Sequence, residues 1–317
     1  MNRLSLPSKK FLIPAIILLV GLIILAALPS FGSKYSIIFL STVFMYIVLT
    51  TSWVMFSGPI RQISLAPAVF FGIGIYVAAI LGTQLPLLAM VLVGGLASTV
   101  MALLVGGLTL RLKGVYFTIF TFGLLELIKN LINWYEVTFT GTRGRFVVVV
   151  DNNTIYLYML AIVVLTLLTT FLIGRSKYGL ALQSIGEQEE AAAHIGINVT
   201  LMKVSTFGIS AFFMGAAGAV MATRWTYIDP FMAFNMNYSF TPVLMAIFGG
   251  VGQLGGVVLG AIIFSYLEQI LITKYPYYYM LIFGIVMVIS VLYLPNGLAG
   301  MVQKWRARTS GGKYAHS

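Results

Sequence analysis

A chain of 317 residues with 60% hydrophobic and only 9% charged side chains has too little polar surface for a water-soluble domain. The sequence contains no cysteine, which excludes disulfides, thiolate metal sites and cysteine catalysis, and its two histidines are too few for a histidine-based metal site. The net charge of +11 follows the membrane topology described below, so we infer no nucleic-acid partner and no cofactor bound by the chain itself.

Ten apolar runs are long enough to be candidate transmembrane helices, and no soluble domain separates them. The runs lack the alternation of a membrane β-barrel, so we predict an all-α polytopic integral membrane protein with about ten transmembrane helices. Residues 1–302 are expected to form a single transmembrane domain, and residues 303–317 a basic cytoplasmic tail. The predicted spans are 11–28, 35–56, 63–81, 87–109, 115–132, 155–173, 204–222, 238–250, 255–273 and 277–294.

The distribution of Lys and Arg predicts the orientation of these spans. With the N-terminus inside, the inner segments hold 13 of these residues and the outer segments hold six, so the positive-inside rule places both termini in the cytoplasm. Ten spans also allow two inverted halves of five, as in many transporters, although the halves share no convincing identity. The first run resembles a secretory signal, but its length and the lack of a clear cleavage site favour an uncleaved span.

The segment 58–67 separates the second and third runs with two prolines and one arginine. Its first part, 58–61, is expected to be a tight cytoplasmic turn. Between Ser64 and Pro67, a broken helix that lines a translocation path competes with this simple turn. Irregular backbone survives at membrane depth only where protein or a cavity satisfies its polar groups.

Buried charge usually marks function in a membrane, and two acidic residues fall well inside predicted spans, Glu126 and Glu268. Lys129 lies three residues after Glu126, so the two side chains can pair along one helix face. Glu126 is therefore either half of a structural pair near the outer interface or a residue of a substrate path. For Glu268, near the outer end of its span, the structural interpretation is favoured.

A polar, acidic segment, 184–200, lies between the sixth and seventh apolar runs. Ser184 and Glu187 have the spacing of a capping box, and Gly196 suits the left-handed position that ends a helix. The pattern predicts a helix over 185–195, about 16 Å long, which is too short and too polar to span a bilayer. Its glutamates disfavour anionic lipid, so a protein partner with a groove is the better explanation.

The same segment resembles the cytoplasmic EAA loop of ATP-binding cassette (ABC) importer permeases. The match is Glu190-Ala191-Ala192-x-x-x-Gly196, and the similarity continues to Lys203. In those permeases the loop forms a coupling helix that sits in a cleft of the ATPase subunit. The resemblance implies an ATPase-coupling role for Ser184, Glu187, Glu190, Ala191, Ala192 and Gly196.

Further motifs narrow the resemblance to the LivM-type permeases of branched-chain amino acid importers, over about residues 58–300. They are the stretches 70–76, 110–117, 248–256 and 294–298. The transmembrane domain, 1–302, is then a permease domain. The family register and the broken helix together indicate five substrate-path candidates: Ser64, Pro67, Tyr116, Thr121 and Glu126.

Three departures from the family pattern lie on the expected substrate side, at 64–67, at Leu125 and at 140–144. They leave the coupling segment intact. Because related permeases carry urea or short amides, a urea or short-amide importer is the alternative to an amino acid importer.

The resemblance also implies a set of partners in the prokaryotic cytoplasmic (inner) membrane. These are a second, LivH-like permease, two ATP-binding subunits of the LivG and LivF type that hold ATP and magnesium, and an extracytoplasmic substrate-binding protein. The remaining surface would face membrane lipid, and the chain itself would not be an enzyme.

Two other classes of function fit the sequence less well. An ion-coupled secondary transporter needs its own ion-coupling groups in the membrane, and Glu126 is the one reasonable candidate. An intramembrane enzyme needs a nucleophile with a base or a metal constellation, and the sequence offers neither.

Overall fold

The computed structural model describes residues 21–278, apart from 111 and 113, and seven further residues up to position 300. Within that part of the chain the protein is helical, with one pair of two-residue strands, β1 (Arg145–Phe146) and β2 (Tyr227–Ile228), which are antiparallel. The helices in chain order are α1 (Gly21–Ser30), α2 (Lys34–Ile60), α3 (Pro67–Leu81), α4 (Leu87–Thr109), α5 (Val115–Tyr135), α6 (Asn152–Arg175), α7 (Lys177–Glu187), α8 (Glu189–His194), α9 (Val199–Ala222), α10 (Pro230–Ala233), α11 (Asn237–Gly249) and α12 (Leu254–Lys274).

Seven helical segments of the described residues are long and apolar enough to cross a membrane. They are α2, α4, α5 with the π-helical turn Glu136–Thr140 that follows it, α6, α9, the pair α10–α11, and α12. Each agrees with one predicted span. The protein is therefore an all-helical, polytopic integral membrane protein.

The predicted count of ten spans is not reproduced. The third predicted span, 63–81, contains a helix only from Pro67 to Leu81, whose 15 residues extend about 22 Å and fall short of a hydrocarbon core of about 30 Å. The first predicted span is described only from residue 21, and most of the tenth, 277–294, lies outside the described residues, as does the tail 303–317.

The turn predicted for 58–61 is also shorter than expected. Helix α2 continues through Gly58 and Pro59 to Ile60, and Arg61 ends it in the left-handed conformation with a φ of 58°. Proline disrupts a helix through its missing N–H and its clash with the preceding turn. Here Pro59 comes one residue before the last helical residue, so little helix remains to be disrupted.

Helix α9 lies at the centre of the bundle, against α2, α3 and α4. Small residues bring its backbone into contact with its neighbours. A Cβ atom added to Gly74 of α3 would lie 1.9 Å from the carbonyl oxygen of Gly215, and one added to Gly218 would lie 2.1 Å from the carbonyl oxygen of Phe71. Such close approach is the usual way in which helices pack inside a membrane, where lipid provides no hydrophobic drive.

Two ends of the bundle can be distinguished from these contacts. The α7–α8 end contains α7, α8, the end of α2, the start of α9 and the turn between α11 and α12. The opposite end contains the end of α5, the strands β1 and β2, and α10. The proposed sites described below lie at these two ends.

The α3–α9 contact provides a stability test. Replacing Gly74 with Ala places a methyl group inside the backbone of α9, and overpacking of this kind costs about 1–3 kcal/mol. We expect a lower thermal unfolding temperature for the purified chain in detergent. Gly107→Ala is the matched control, because Gly107 of α4 is exposed and has nothing within 4 Å of the added atom. Equal unfolding temperatures for the two variants would contradict the packing described here.

Candidate coupling and transport site

The polar segment between α6 and α9 forms two helices and not one. Helix α7 begins at Lys177, where the Ser176 hydroxyl accepts a hydrogen bond from the Gly179 N–H at 3.2 Å. Ser184 lies within α7 and donates its hydroxyl hydrogen to the Leu180 carbonyl at 3.0 Å. The predicted capping box and the predicted helix start at residue 185 are therefore wrong.

The physical reason is that the predicted helix start is itself inside a helix. A serine in a helix interior can satisfy its hydroxyl on the carbonyl four residues earlier, so the local pattern at Ser184 fits both positions. Glu187 is the last residue of α7, and one of its carboxylate oxygens lies 3.8 Å from the Arg61 guanidinium, with both side chains exposed. An exposed pair of this kind contributes little to stability.

Helix α8 is separated from α7 by one extended residue, Gln188, with a φ of −154°. It ends as predicted at Gly196, which has a φ of +89° and donates its N–H to the Ala193 carbonyl at 3.0 Å. The Ile197 N–H is bonded in turn to the Ala192 carbonyl at 3.1 Å. Glycine adopts this left-handed conformation without a steric penalty, which explains the helix end.

Helix α7 is held tightly against the end of α2. A Cβ atom on Gly186 would lie 1.9 Å from the Pro59 carbonyl oxygen, and the side chains of Leu182 and Ile185 are buried. The Tyr178 hydroxyl adds contacts with the start of α9, at 2.7 Å from the hydroxyl of Thr206. Helix α7 is thus part of the rigid bundle.

An ion pair that the sequence analysis missed joins helix α8 to α9. The Lys203 ammonium lies 2.8 Å from the Glu189 carboxylate, and the Lys203 side chain is only 2% exposed. Lys203 belongs to the first turns of α9, so the pair joins α8 to the central helix. The sequence does show a lysine at the start of an apolar helix, shortly after three glutamates, which indicates an ion pair. No local spacing rule, however, selects which glutamate is its partner.

The α8 surface consists of the exposed residues of α8 and the position after it. Ala192 is the one α8 residue whose side chain is buried against the bundle. Its neighbours Glu190 and Ala191 are exposed, so α8 carries two of the six predicted coupling residues to the outside of the protein. The α8 surface is formed by Glu190, Ala191, Ala193, His194 and Ile195.

A cleft of about 700 Å³ opens at the same end of the bundle. Its walls are the ends of α2 and α6, one face of α7 and the turn between α11 and α12. Arg61, Arg175 and Glu187 provide its charges, and most of the remaining lining is apolar.

The structure brings three of the five substrate-path candidates together. Residues 61–66 form no helix, and four of the five residues 62–66 are buried. The Leu65 N–H donates to the Thr121 hydroxyl at 2.9 Å, and the Trp53 indole N–H donates to the Ser64 carbonyl at 2.8 Å. Pro67 then starts α3 within the bundle. The predicted break in the helix is therefore present, and neighbouring helices satisfy its backbone.

Ser64 and Pro67 border a small closed void in this conformation. The void has a volume of about 10 Å³, and aromatic side chains such as Phe56 and Phe70 form half of its lining residues. A space of this size holds about one water molecule. It is too small for a substrate.

The other two candidates lie on a different surface. Tyr116 is 76% exposed near the start of α5, and Glu126 lies further along the same helix. The predicted pair is confirmed, because the Lys129 ammonium lies 2.5 Å from the Glu126 carboxylate. A substrate-path role for these residues stays a prediction.

A buried carboxylate occurs at the opposite end, directly after α5. Glu136 is 1% exposed and bonds to Tyr76, Gly144 and Arg145. The sequence analysis missed it because the predicted fifth span ended at residue 132, which placed Glu136 in a loop.

An all-helical protein with seven membrane-length segments and an exposed short helix at one end is a polytopic membrane protein of the transporter type. Its sequence matches the family described as branched-chain amino acid transport system, permease component, over residues 35–291. The chain belongs to this family and is a transport permease of the LivM type.

Named relatives agree with this assignment. The high-affinity branched-chain amino acid transport system permease proteins LivM of Salmonella typhimurium and of Escherichia coli are each 28% identical to the chain, over 96% and 94% of it and over 81% and 80% of their own lengths. The permease protein LivH of the same system in Salmonella typhimurium is 24% identical over 50% of the chain and 51% of its own length. No solved structure matches the chain.

The irregular segment provides a second test. Ser239 of α11 accepts from the Ala68 N–H at 3.0 Å and donates to the Leu65 carbonyl at 2.8 Å. Ser239→Ala leaves both buried backbone groups without this partner, at a cost of about 1–3 kcal/mol for each unsatisfied group. We expect a clear loss of thermal stability. Ser265→Ala is the control, because the buried Ser265 hydroxyl bonds only within its own helix, to the Ala261 carbonyl. Equal losses would contradict the bridging role.

Proposed function

We propose that this chain is one of the two transmembrane subunits of an ABC importer that moves branched-chain or other amino acids across a prokaryotic cytoplasmic membrane. The observation that carries the proposal is the α8 surface, which presents the EAA residues Glu190 and Ala191 at one end of a transport permease. On this proposal the α7–α8 end and both termini are cytoplasmic, in agreement with the distribution of Lys and Arg.

The proposed assembly contains a second, LivH-like permease, two LivG- and LivF-like ATP-binding subunits and an extracytoplasmic binding protein. The similarity of the chain to both LivM and LivH proteins of one named system supports the pairing of two permeases. ATP and magnesium would bind to the partner subunits. Residues 1–302 would form the permease domain, with 303–317 as a cytoplasmic tail.

Coupling would depend on two attachments of different strength, that of α7 to α2 and that of α8 to α9. Helix α7 is packed on α2 through the backbone contact of Gly186 with Pro59, whereas α8 is joined to α9 by the Glu189–Lys203 ion pair. Gln188, the extended residue between them, allows α8 to move separately. An ATPase that moves α8 would therefore pull on α9, the central helix, and so change its packing on α3 and α4. Such a change needs contacts that differ between the two states.

The open face of α5 is the proposed contact with the second permease. Only 22% of the membrane-length window of α5 is buried, the lowest value among the seven spans, whereas 78% is buried for α9. This helix also carries the Glu126–Lys129 pair. Charged groups inside a membrane face protein or a water-filled cavity and rarely lipid. Tyr116 and Glu126 would then line a path between the two permeases.

The Glu189–Lys203 pair, here called the coupling joint, predicts that replacing one partner has a different effect on stability from replacing the other. Lys203→Met replaces a buried cation with an apolar chain and leaves Glu189 partly solvated, so the fold should persist. Glu189→Gln leaves a buried, unpaired ammonium, which costs about 3–5 kcal/mol. We expect Lys203→Met to keep the unfolding temperature of the complex but to lower the amount of substrate transported per ATP hydrolysed in proteoliposomes. Glu189→Gln should lower both.

The control for this test is Lys177→Met, which removes an exposed lysine at the start of α7. It should leave both quantities unchanged. Normal transport per ATP in the Lys203→Met complex would contradict the proposed joint.

The α8 surface is tested by reversing one charge. Glu190→Lys should weaken the binding of α8 to the ATPase, so that less ATPase copurifies with the permease and transport-coupled ATP hydrolysis falls. Adding Gly196→Pro, which cannot adopt a φ of +89°, should abolish coupling. Thr142→Lys, an exposed change at the opposite end of the bundle, is the matched control. Coupled ATP hydrolysis that survives the double change would overturn the assignment.

A further inference from the structure

The carboxylate of Glu136 is held by two sets of contacts that differ in their role. Its Oε2 atom accepts hydrogen bonds from the Gly144 N–H at 2.7 Å and from the Tyr76 hydroxyl at 3.3 Å. Its Oε1 atom is paired with Arg145, whose Nε lies at 3.2 Å. The Oε2 contacts fix the carboxylate to the bundle, and the Oε1 contact can be exchanged without releasing it.

Arg145 makes this contact in a geometry that leaves its main binding capacity unused. The bond comes from Nε, and the Arg145 side chain is 32% exposed. A guanidinium binds a carboxylate best through two parallel hydrogen bonds, a fork that is fixed by its planar shape. The single side-on contact with Glu136 is weaker than the contact that a free carboxylate could make.

The Arg145 side chain can move without the Oε2 contacts, although its backbone cannot, because the preceding residue, Gly144, donates to Oε2. Arg145 belongs to β1, which pairs with β2 over only two residues, with Arg145 opposite the buried Ile228. Phe146 and Tyr227 are on the exposed side of the strand pair. The two strands are anchored to the bundle by the buried side chains of Ile228 and Val147 and by the Gly144 N–H on Glu136, so the Arg145 side chain is the movable part of this contact.

Burial decides which molecules can open this pair. Glu136 is 1% exposed, and removing the partner of a buried charge costs about 3–5 kcal/mol, so water and neutral solutes open the pair poorly. A molecule that brings an ammonium and a carboxylate replaces both partners at once and leaves no charge uncompensated. An α-amino acid carries these two groups, whereas urea and simple amides carry neither.

We propose that Glu136 and Arg145 form a recognition site for the charged groups of an α-amino acid, with the ammonium on Oε1 of Glu136 and the carboxylate on the terminal nitrogens of Arg145. Binding opens the ion pair as the Arg145 side chain turns toward the ligand, while β1 and β2 stay in place. Tyr76 and Gly144 keep the Glu136 carboxylate in position during the exchange. The inference rests on the proposed importer function and adds to it the residues that would recognise the charged groups of the substrate, a site that urea and short amides would not fill.

The test uses the complex of both permeases with their ATPases in lipid nanodiscs, without the binding protein, so that the amino acid meets the permeases directly. Binding of radiolabelled L-leucine is measured for the natural complex and for Glu136→Gln and Arg145→Gln. A charge-assisted hydrogen bond contributes about 1.5–3 kcal/mol, so each change should weaken binding by about tenfold or more. Arg143→Gln, which removes a neighbouring exposed arginine, should bind like the natural complex.

Arg145→Lys separates recognition from a purely structural role. Lysine keeps the charge opposite Glu136 and so keeps the ion pair, but it lacks the fork that binds a carboxylate. Recognition predicts weaker leucine binding with an unchanged unfolding temperature. Leucine affinity equal to that of the natural complex in Arg145→Lys and in both Gln variants would overturn the proposal.

The failure of this inference is distinguishable from the failure of the importer function. ATP-driven leucine uptake by the full natural assembly, with its binding protein, tests the function alone. Uptake without leucine binding to the nanodisc complex would support the importer function and contradict the Glu136–Arg145 site. Uptake of urea in place of any amino acid would reject the site together with the amino acid assignment.

Discussion

The close contact between α9 and its neighbours is the constraint on which the rest of this structure depends. With Gly215 and Gly218 in backbone contact with α3, the centre of α9 has no room to rotate or slide without disturbing α3. Interiors packed this closely shift between discrete arrangements and do not deform gradually. On this account, a displacement of one end of α9 should change its packing at the other end.

Both proposed sites are attached to this helix. Lys203, at the start of α9, holds α8, and β2 follows the end of α9 and pairs with the strand that carries Arg145. The 24 residues of α9 span about 36 Å, which is enough to connect the two surfaces of a membrane. On this account, movement of α8 by an ATPase and opening of the Glu136–Arg145 pair are coupled through α9.

The sequence predicted those features that depend on composition or on near neighbours. Seven spans, the left-handed Gly196 and the Glu126–Lys129 pair belong to this group. Ser184 shows the limit of local patterns, because the hydroxyl that looked like a cap bonds within α7 instead. Glu189 with Lys203 and Glu136 with Arg145 depend on how the chain folds back on itself, which no periodicity encodes. The packing of the segment before Pro67 likewise depends on Ser239 and Thr121, which are distant in sequence.

The central claim is that α8 is the contact with the ATPase, and the sequence allows a direct measurement. Because the natural chain has no cysteine, a single Ala193→Cys change on the α8 surface provides one reactive thiol. Crosslinking in native membranes should join this position to an ATP-binding subunit, and Thr142→Cys at the opposite end should give no such product. A transport-competent assembly in which Ala193→Cys forms no adduct with an ATPase, while Thr142→Cys does, would contradict the account.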